Sequence, residues 1–297
     1  TKYTTNHNMP NWTDKVKQIW NSTKDIDDNI EDLIKASIKR TAIATHTDFD
    51  PWDPRLQKPE DIGHENNVET RRPPNLAIIK KYKHEGEEVE WRADHNNYGF
   101  RCEDIEEKTD NDLVIVSLGC SFTYGAGTHV EDRWTDVFCK KVQETTKLKV
   151  RNYNLALEGH ANDYCSRMVF KTIENLKPDL YCFLFTYRNR MEWVTNEAQK
   201  VTNVIPGHDD VFVNIMNDGV AMYNFQKNYA LINALCNLHK VPFLFGTVDP
   251  RIHNVVEHMP HYVGKFDRDI KGIDGEHPSA EKQHELGERF FNKYKEI

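Results

Sequence analysis

The feature that most narrows the fold is a regular alternation beginning at residue 112. DLVIVSLG (112–119) is a continuous apolar strand. A helical stretch follows around 133–147, then a second strand, VRNYNLA (150–156), and a helix over 161–176. DLYCFLF (179–185) is a third buried strand, and KVTNVIPGHDDVFVNI (200–215) reads as a hairpin with Pro-Gly at its turn. Residues 222–238 read as a helix, PFLFGTV (242–248) as a fourth core strand and 279–296 as a closing helix. Strands apolar on both faces and interleaved with helices predict a mainly parallel sheet covered on both sides, a three-layer α/β/α sandwich. Ligands of such sheets bind at the carboxyl ends of the strands, so the informative residues are expected just after each one.

Upstream the chain changes character. NWTDKVKQIW places Val16, Ile19 and Trp20 on one face, and Ile26, Ile30, Leu33, Ile34 and Ile38 recur at three- and four-residue spacing. Both patterns predict helices, packed on their own domain in preference to docking or oligomerisation. From about 46 to 75, five prolines among many Asp, Asn and Glu mark an irregular linker. Its DFDPWD is similar to a calcium loop but lacks the Gly and distal Glu of an EF-hand, so Asx-turns account for it. LAIIKKY (76–82) and EVEW (88–91) read as short strands. The organisation expected is a helical extension with linker over 1–95 and a catalytic-type α/β domain over 96–297.

Composition removes several function classes. The 297 residues hold 39 basic and 47 acidic side chains, a net charge of −8. Nucleic-acid binders carry the opposite field, so no nucleic-acid partner is expected. No run of about 18 apolar residues is present, so no membrane span is expected. The N-terminus shows no apolar signal-peptide core, and none of the six cysteines forms a CxxC pair. Reduced, buried thiols in a cytoplasmic protein are the expectation. His253, His258 and His261 crowd one segment, and His208 adjoins Asp209 and Asp210. Their spacing suits zinc poorly, so they read as surface or substrate-facing histidines. No metal and no organic cofactor is expected.

Three segments carry candidate chemistry. GCSFTYGAG (119–127) sets Ser121 on a sharp turn after the first strand. Such a turn suits a nucleophile beside its own oxyanion donor, phosphate binding at a helix N-terminus, or plain helix capping. NLALEGHAND (154–163) follows the second strand; Gly159 can offer an unobstructed N–H, and Asn162 an amide or a helix cap. DGEHPSAEKQ (274–283) holds Asp274 and His277 three apart, before a helix capped by Ser279. Asp orienting His, and His deprotonating Ser, is triad logic; a loop His beside a turn Asp is the bland alternative.

Taken in order, the Gly-x-Ser turn, N-x-A-x-x-G and Asp-x-x-His resemble the SGNH (GDSL-like) hydrolase family. NNYGFRCEDIE (96–106) is similar to the N-x-x-G-F-R lead-in of many members. The resemblance implies a flavodoxin-like α/β sandwich and ester hydrolysis without cofactor. It casts Ser121 as nucleophile, His277 as base and Asp274 as its orienter, with Ser121 and Gly159 N–H groups as oxyanion donors. Two departures stand out. Cys120 replaces the usual Asp of the first motif, and is expected to pack behind Ser121. The third motif, usually G-x-N-D, is replaced by FTYRNRMEW (185–193). Asn189 lies one position late there, so Asn189, Asn162 or an arginine is expected to supply the third oxyanion donor. Glu192 is expected to pair with Arg188 or Arg190, while Tyr187, Arg188, Arg190 and Trp193 are expected to line the substrate cleft. Thr186, Arg190 and Glu192 also match a T-x-x-x-R-x-E pattern similar to phage and bacterial members. The expectation is a serine esterase or deacetylase acting on a small-molecule or carbohydrate ester. The rival is a non-catalytic adaptor, such as a virion component, contacting a protein partner through residues 1–95.

Overall fold

The computed structural model describes residues 74–194, 201–204 and 217–297. The helices expected before residue 46, most of the linker, and His208 with its two aspartates lie outside the described residues. The chain divides into two compact units, Thr1–Lys58 and Pro59–Ile297. The second unit includes an antiparallel hairpin of β1 (Ala77–His84) and β2 (Glu87–Asp94), which the sequence reading placed with the extension. The reason is burial: Trp91 and Ala93 of β2 pack with Tyr124, Ala126 and Ala156 in one apolar cluster.

The central sheet has five parallel strands in the order β4-β3-β5-β8-β9. These are β3 (Asp112–Gly119), β4 (Lys149–Asn154), β5 (Leu180–Phe185), β8 (Phe243–Thr247) and β9 (Tyr262–Lys265). Side chains alternate between the two faces of a strand. Cys182, Leu184 and Leu244 therefore join one cluster with Trp134, Phe138 and Val142 of α2 (Trp134–Thr146) and Leu286 and Phe290 of α6 (Ala280–Tyr294). Their neighbours Phe185, Phe243 and Phe245 face the other way. There they meet Phe225 and Tyr229 of α4 (Asp218–His239), which packs with α3 (Asn162–Thr172). Helix pairs on opposite faces make the three layers, and burial on both faces is why these strands read as unbroken apolar runs.

In sequence order the core strands run 2-1-3-4-5, the flavodoxin-like arrangement. Its crevice opens where the chain leaves the first strand in one direction and the third in the other. Here those strands are β3 and β5, so Ser121 and the Tyr187–Arg190 turn both fall at the switch point. Two differences from the sequence reading concern short elements. β7 (Val201–Val204) pairs antiparallel with β6 (Met191–Val194), a strand the sequence reading did not include, while residues 205–215 of the expected hairpin lie outside the described residues. A seven-residue helix, α5 (Pro250–Val256), also lies within the histidine-rich segment, begun by Asp249 accepting the Arg251 and Ile252 N–H groups. Among the described residues no helix is long and apolar enough to cross a membrane.

Candidate active site

The turn after β3 is a single helical turn, α1 (Ser121–Tyr124), ended by Gly125 in the left-handed region. Cys120, in extended conformation, gives it no side-chain cap, so the Ser121 N–H lacks an intrahelical acceptor. Neighbouring side chains diverge here. Cys120 is wholly buried in the apolar cluster, while Ser121 keeps 8 % of its surface exposed.

So short a helix leaves its carbonyls orphaned, and side chains from distant segments satisfy them. Gln283 Nε2 donates to the Phe122 carbonyl at 3.1 Å, and Asn154 Nδ2 to that of Thr123 at 2.7 Å. Arg101 Nη1 donates to the Tyr124 and Gly125 carbonyls at 3.2 and 2.6 Å. Its Nη2 donates to the carbonyls of Arg92 and Thr128 at 2.9 and 3.0 Å. Burial, with Arg133 nearby, lowers the Arg101 pKa to about 10, so the guanidinium remains charged at neutral pH. Arg101 is the Arg of the N-x-x-G-F-R lead-in; its role as the clamp of this turn was not readable from the motif. Gln283 and Asn154 carried no sequence signal for this role.

The loop before α6 docks on the same turn. Asp274 Oδ2 accepts from His277 Nδ1 at 2.7 Å, and its Oδ1 accepts from the N–H groups of Glu276 and His277. Burial raises the Asp274 pKa, but the His277 ring and these two N–H groups outweigh it and hold the value at about 2. With Nδ1 as donor, Nε2 is the basic nitrogen of the His277 ring. The Phe122 ring, directly after Ser121, meets the His277 ring edge-to-face at 5.6 Å. Gly127 has φ +66°, and a Cβ there would strike the Asp274 carboxylate. Only glycine lets the two loops close this far. Among the described residues, Ser121 Oγ and His277 Nε2 take no part in a hydrogen bond.

After β4, Gly159 is half-buried with φ +76°. Asn162 is fully enclosed and pins the end of β5: its Nδ2 donates to the Thr186 carbonyl at 3.2 Å, and its Oδ1 accepts from the Thr186 N–H at 2.8 Å. The next turn is closed by the Arg190 N–H donating to the Tyr187 carbonyl. Arg188 is drawn to the buried Asp249, which accepts from its N–H and Nη1, while Nη2 donates to Asp218. Asn189 is half-buried in that turn, with no side-chain hydrogen bond among the described residues. Glu192 takes a bidentate fork from Arg167 of α3, at 2.8 and 3.1 Å, where the sequence reading assigned it to Arg188 or Arg190. The cause is tertiary: β6 and α3 are in contact. The Trp193 side chain lies outside the described residues. Of the crowded histidines, His253 Nδ1 bonds the Tyr262 hydroxyl at 2.8 Å. Among the described residues no three His, Cys, Asp or Glu group as metal ligands. A cavity of about 580 Å³ lined by Arg92, Glu103, Arg133 and Asp136 touches none of the expected site residues.

No family model matches the chain, and no curated protein matches it in sequence. Solved structures similar to it include TesA, at 15% identity over 62% of this chain and 99% of that one, with TM-score 0.43. A psychrotrophic esterase, EstA from Pseudoalteromonas sp., is 12% identical over 62% and 98%, with TM-score 0.42. A GDSL-like lipase from Bacteroides thetaiotaomicron is 15% identical over 65% and 93%, with TM-score 0.38. Many of the structural neighbours are GDSL/SGNH esterases and lipases.

Proposed function

We propose that this protein is a serine esterase in which Ser121, His277 and Asp274 form the catalytic triad. The observation that carries this reading is the 2.7 Å Asp274–His277 pair, its imidazole packed on Phe122 beside Ser121. The carboxylate fixes the ring with Nδ1 protonated, which makes Nε2 the base. Ser121 Oγ attacks the ester carbonyl carbon as its proton passes to Nε2. The tetrahedral oxyanion is held by the N–H groups of Ser121 and Gly159. His277 returns the proton to the departing alcohol oxygen, and the C–O bond breaks. A water then gives its proton to Nε2 and attacks the acyl-enzyme, releasing the acid and restoring Ser121.

Asn189 is the candidate for the third oxyanion donor, because Asn162 holds Thr186 and Arg188 holds Asp249. The carbonyl clamps on α1 support the reading further: a turn held at four successive carbonyls is preorganised, as a nucleophile needs. The test is hydrolysis of 4-nitrophenyl acetate at pH 7 to 8 by the wild type and by Ser121→Ala. The expected loss is about 10³-fold or more in kcat. Equal rates in the two proteins would sink the esterase assignment.

A further inference from the structure

We propose that the site selects esters bearing an anionic oxygen group, a carboxylate or phosphate, close to the scissile carbonyl. The inference rests on the Ser121 reading above and adds the substrate class. It starts from a contrast among the arginines near the switch point. Arg167 is matched by Glu192, Arg188 by Asp249 and Asp218, and Arg251 by Asp218. Arg190 and Arg268 have no carboxylate partner among the described residues.

These two guanidiniums converge on the aromatic side chains that border the triad. Arg268 lies 5.5 Å from the Phe122 ring centroid and 5.8 Å from that of Tyr187. Arg190 lies 5.6 Å from the same Tyr187 ring. Phe122 also carries the His277 ring, so both cations belong to one cluster with the candidate base. A guanidinium resting on an aromatic face keeps its in-plane N–H fork free for an oxygen pair.

The second observation is independent of charge pairing. Arg190 Nη1 is buried and has no hydrogen-bond acceptor among the described residues. Buried donors are nearly always satisfied, and a charged one left bare is the costliest kind. An acceptor arriving with the substrate satisfies it. A sugar ring stacked on Tyr187 fits less well, because guanidiniums already lie over its ring. The protein's own charge is −8, so long-range forces do not attract anions; selection must come from these two contacts at close range.

The test compares kcat/KM for three matched esters. These are neutral 4-nitrophenyl acetate, mono-4-nitrophenyl succinate with its anion on the acyl side, and acetylated oligogalacturonide with its anions on the alcohol side. Acetylated xylo-oligosaccharide serves as the neutral control for the last. The expected result is a preference of about tenfold or more for one anionic ester over its control. That ratio should fall at least fivefold in Arg190→Gln and in Arg268→Gln, with unchanged melting temperatures. Ser121-dependent hydrolysis with no anionic preference, or a preference that survives in the double variant, overturns the anion proposal and leaves the esterase standing. Binding of monomethyl succinate, read by ligand-observed NMR, separates the other failure. Binding lost in the double variant, with no Ser121-dependent turnover of any ester, upholds the anion site and sinks the esterase.

Discussion

The turn after β3 and the turn after β5 face each other across the switch point and are built on opposite terms. In the first, each carbonyl from Phe122 to Gly125 is held by a side chain from elsewhere in the fold. In the second, Arg188 is locked by Asp249, yet Arg190 two residues on keeps a buried donor without an acceptor among the described residues. The difference separates two tasks. Bond-making geometry must exist before the substrate arrives, and the backbone carbonyls that shape the Ser121 turn are satisfied internally. Recognition must respond to the substrate, so a polar group there is left for the ligand to complete.

The comparison breaks most sharply at Asp274. Asp274→Asn keeps the shape of the loop but removes the charge that orients His277. Loss of about 10⁴-fold in kcat is expected, as in other triads where the carboxylate is neutralised. Near-wild-type turnover of 4-nitrophenyl acetate would mean that the first turn is not the chemical one. Next in size is Arg101→Met, which strips donors from the carbonyls of Tyr124, Gly125, Thr128 and Arg92. A stability loss of about 3 kcal/mol is expected, read as a lower denaturation midpoint. A change under about 0.5 kcal/mol would show that the turn holds itself without the clamp.

The smallest effect sharpens the open side. His160 follows Gly159 and is fully buried; desolvation, with Arg167 and Arg190 adding to it, lowers its pKa to about 3. Its unfolded value is near 6.5. Between these values the unfolded chain binds a proton that the folded chain refuses. Folding stability is therefore complete above about pH 6.5 and falls as pH drops toward 3, by about 2 kcal/mol at most between pH 7 and 5. His160→Gln should flatten that slope in acid-dependent urea midpoints. An unchanged slope would place the titration elsewhere.

The sequence displayed the parts whose partners are near or whose burial is two-sided. The β3 run DLVIVSLG is apolar apart from Asp112 and Ser117 because both faces are covered, and its bounds are those observed. The Asp274–His277 pair is legible because three residues suffice to close it. The carbonyl clamps were not legible, because Gln283 reaches Phe122 from 161 positions away and nothing local marks it. Short elements failed for a related reason. MEWV and VTNV are four residues each, too brief for a period to show, so the pairing of β6 with β7 was not legible. Which arginines are paired is likewise a tertiary property: Arg188 and Arg190 look alike in the sequence, and Asp249 and Asp218 tell them apart.

Gln283 joins the start of α2 to the Ser121 turn, accepting from the Trp134 N–H while donating to the Phe122 carbonyl. Both bonds close very long loops, which form late and slowly in a folding chain. The sheet can thus be assembled while the nucleophile turn still lacks one of its ties. Under the proposed esterase function, regained turnover is expected to be a stricter gauge of completed folding than regained secondary structure, because it waits for the last and longest closure.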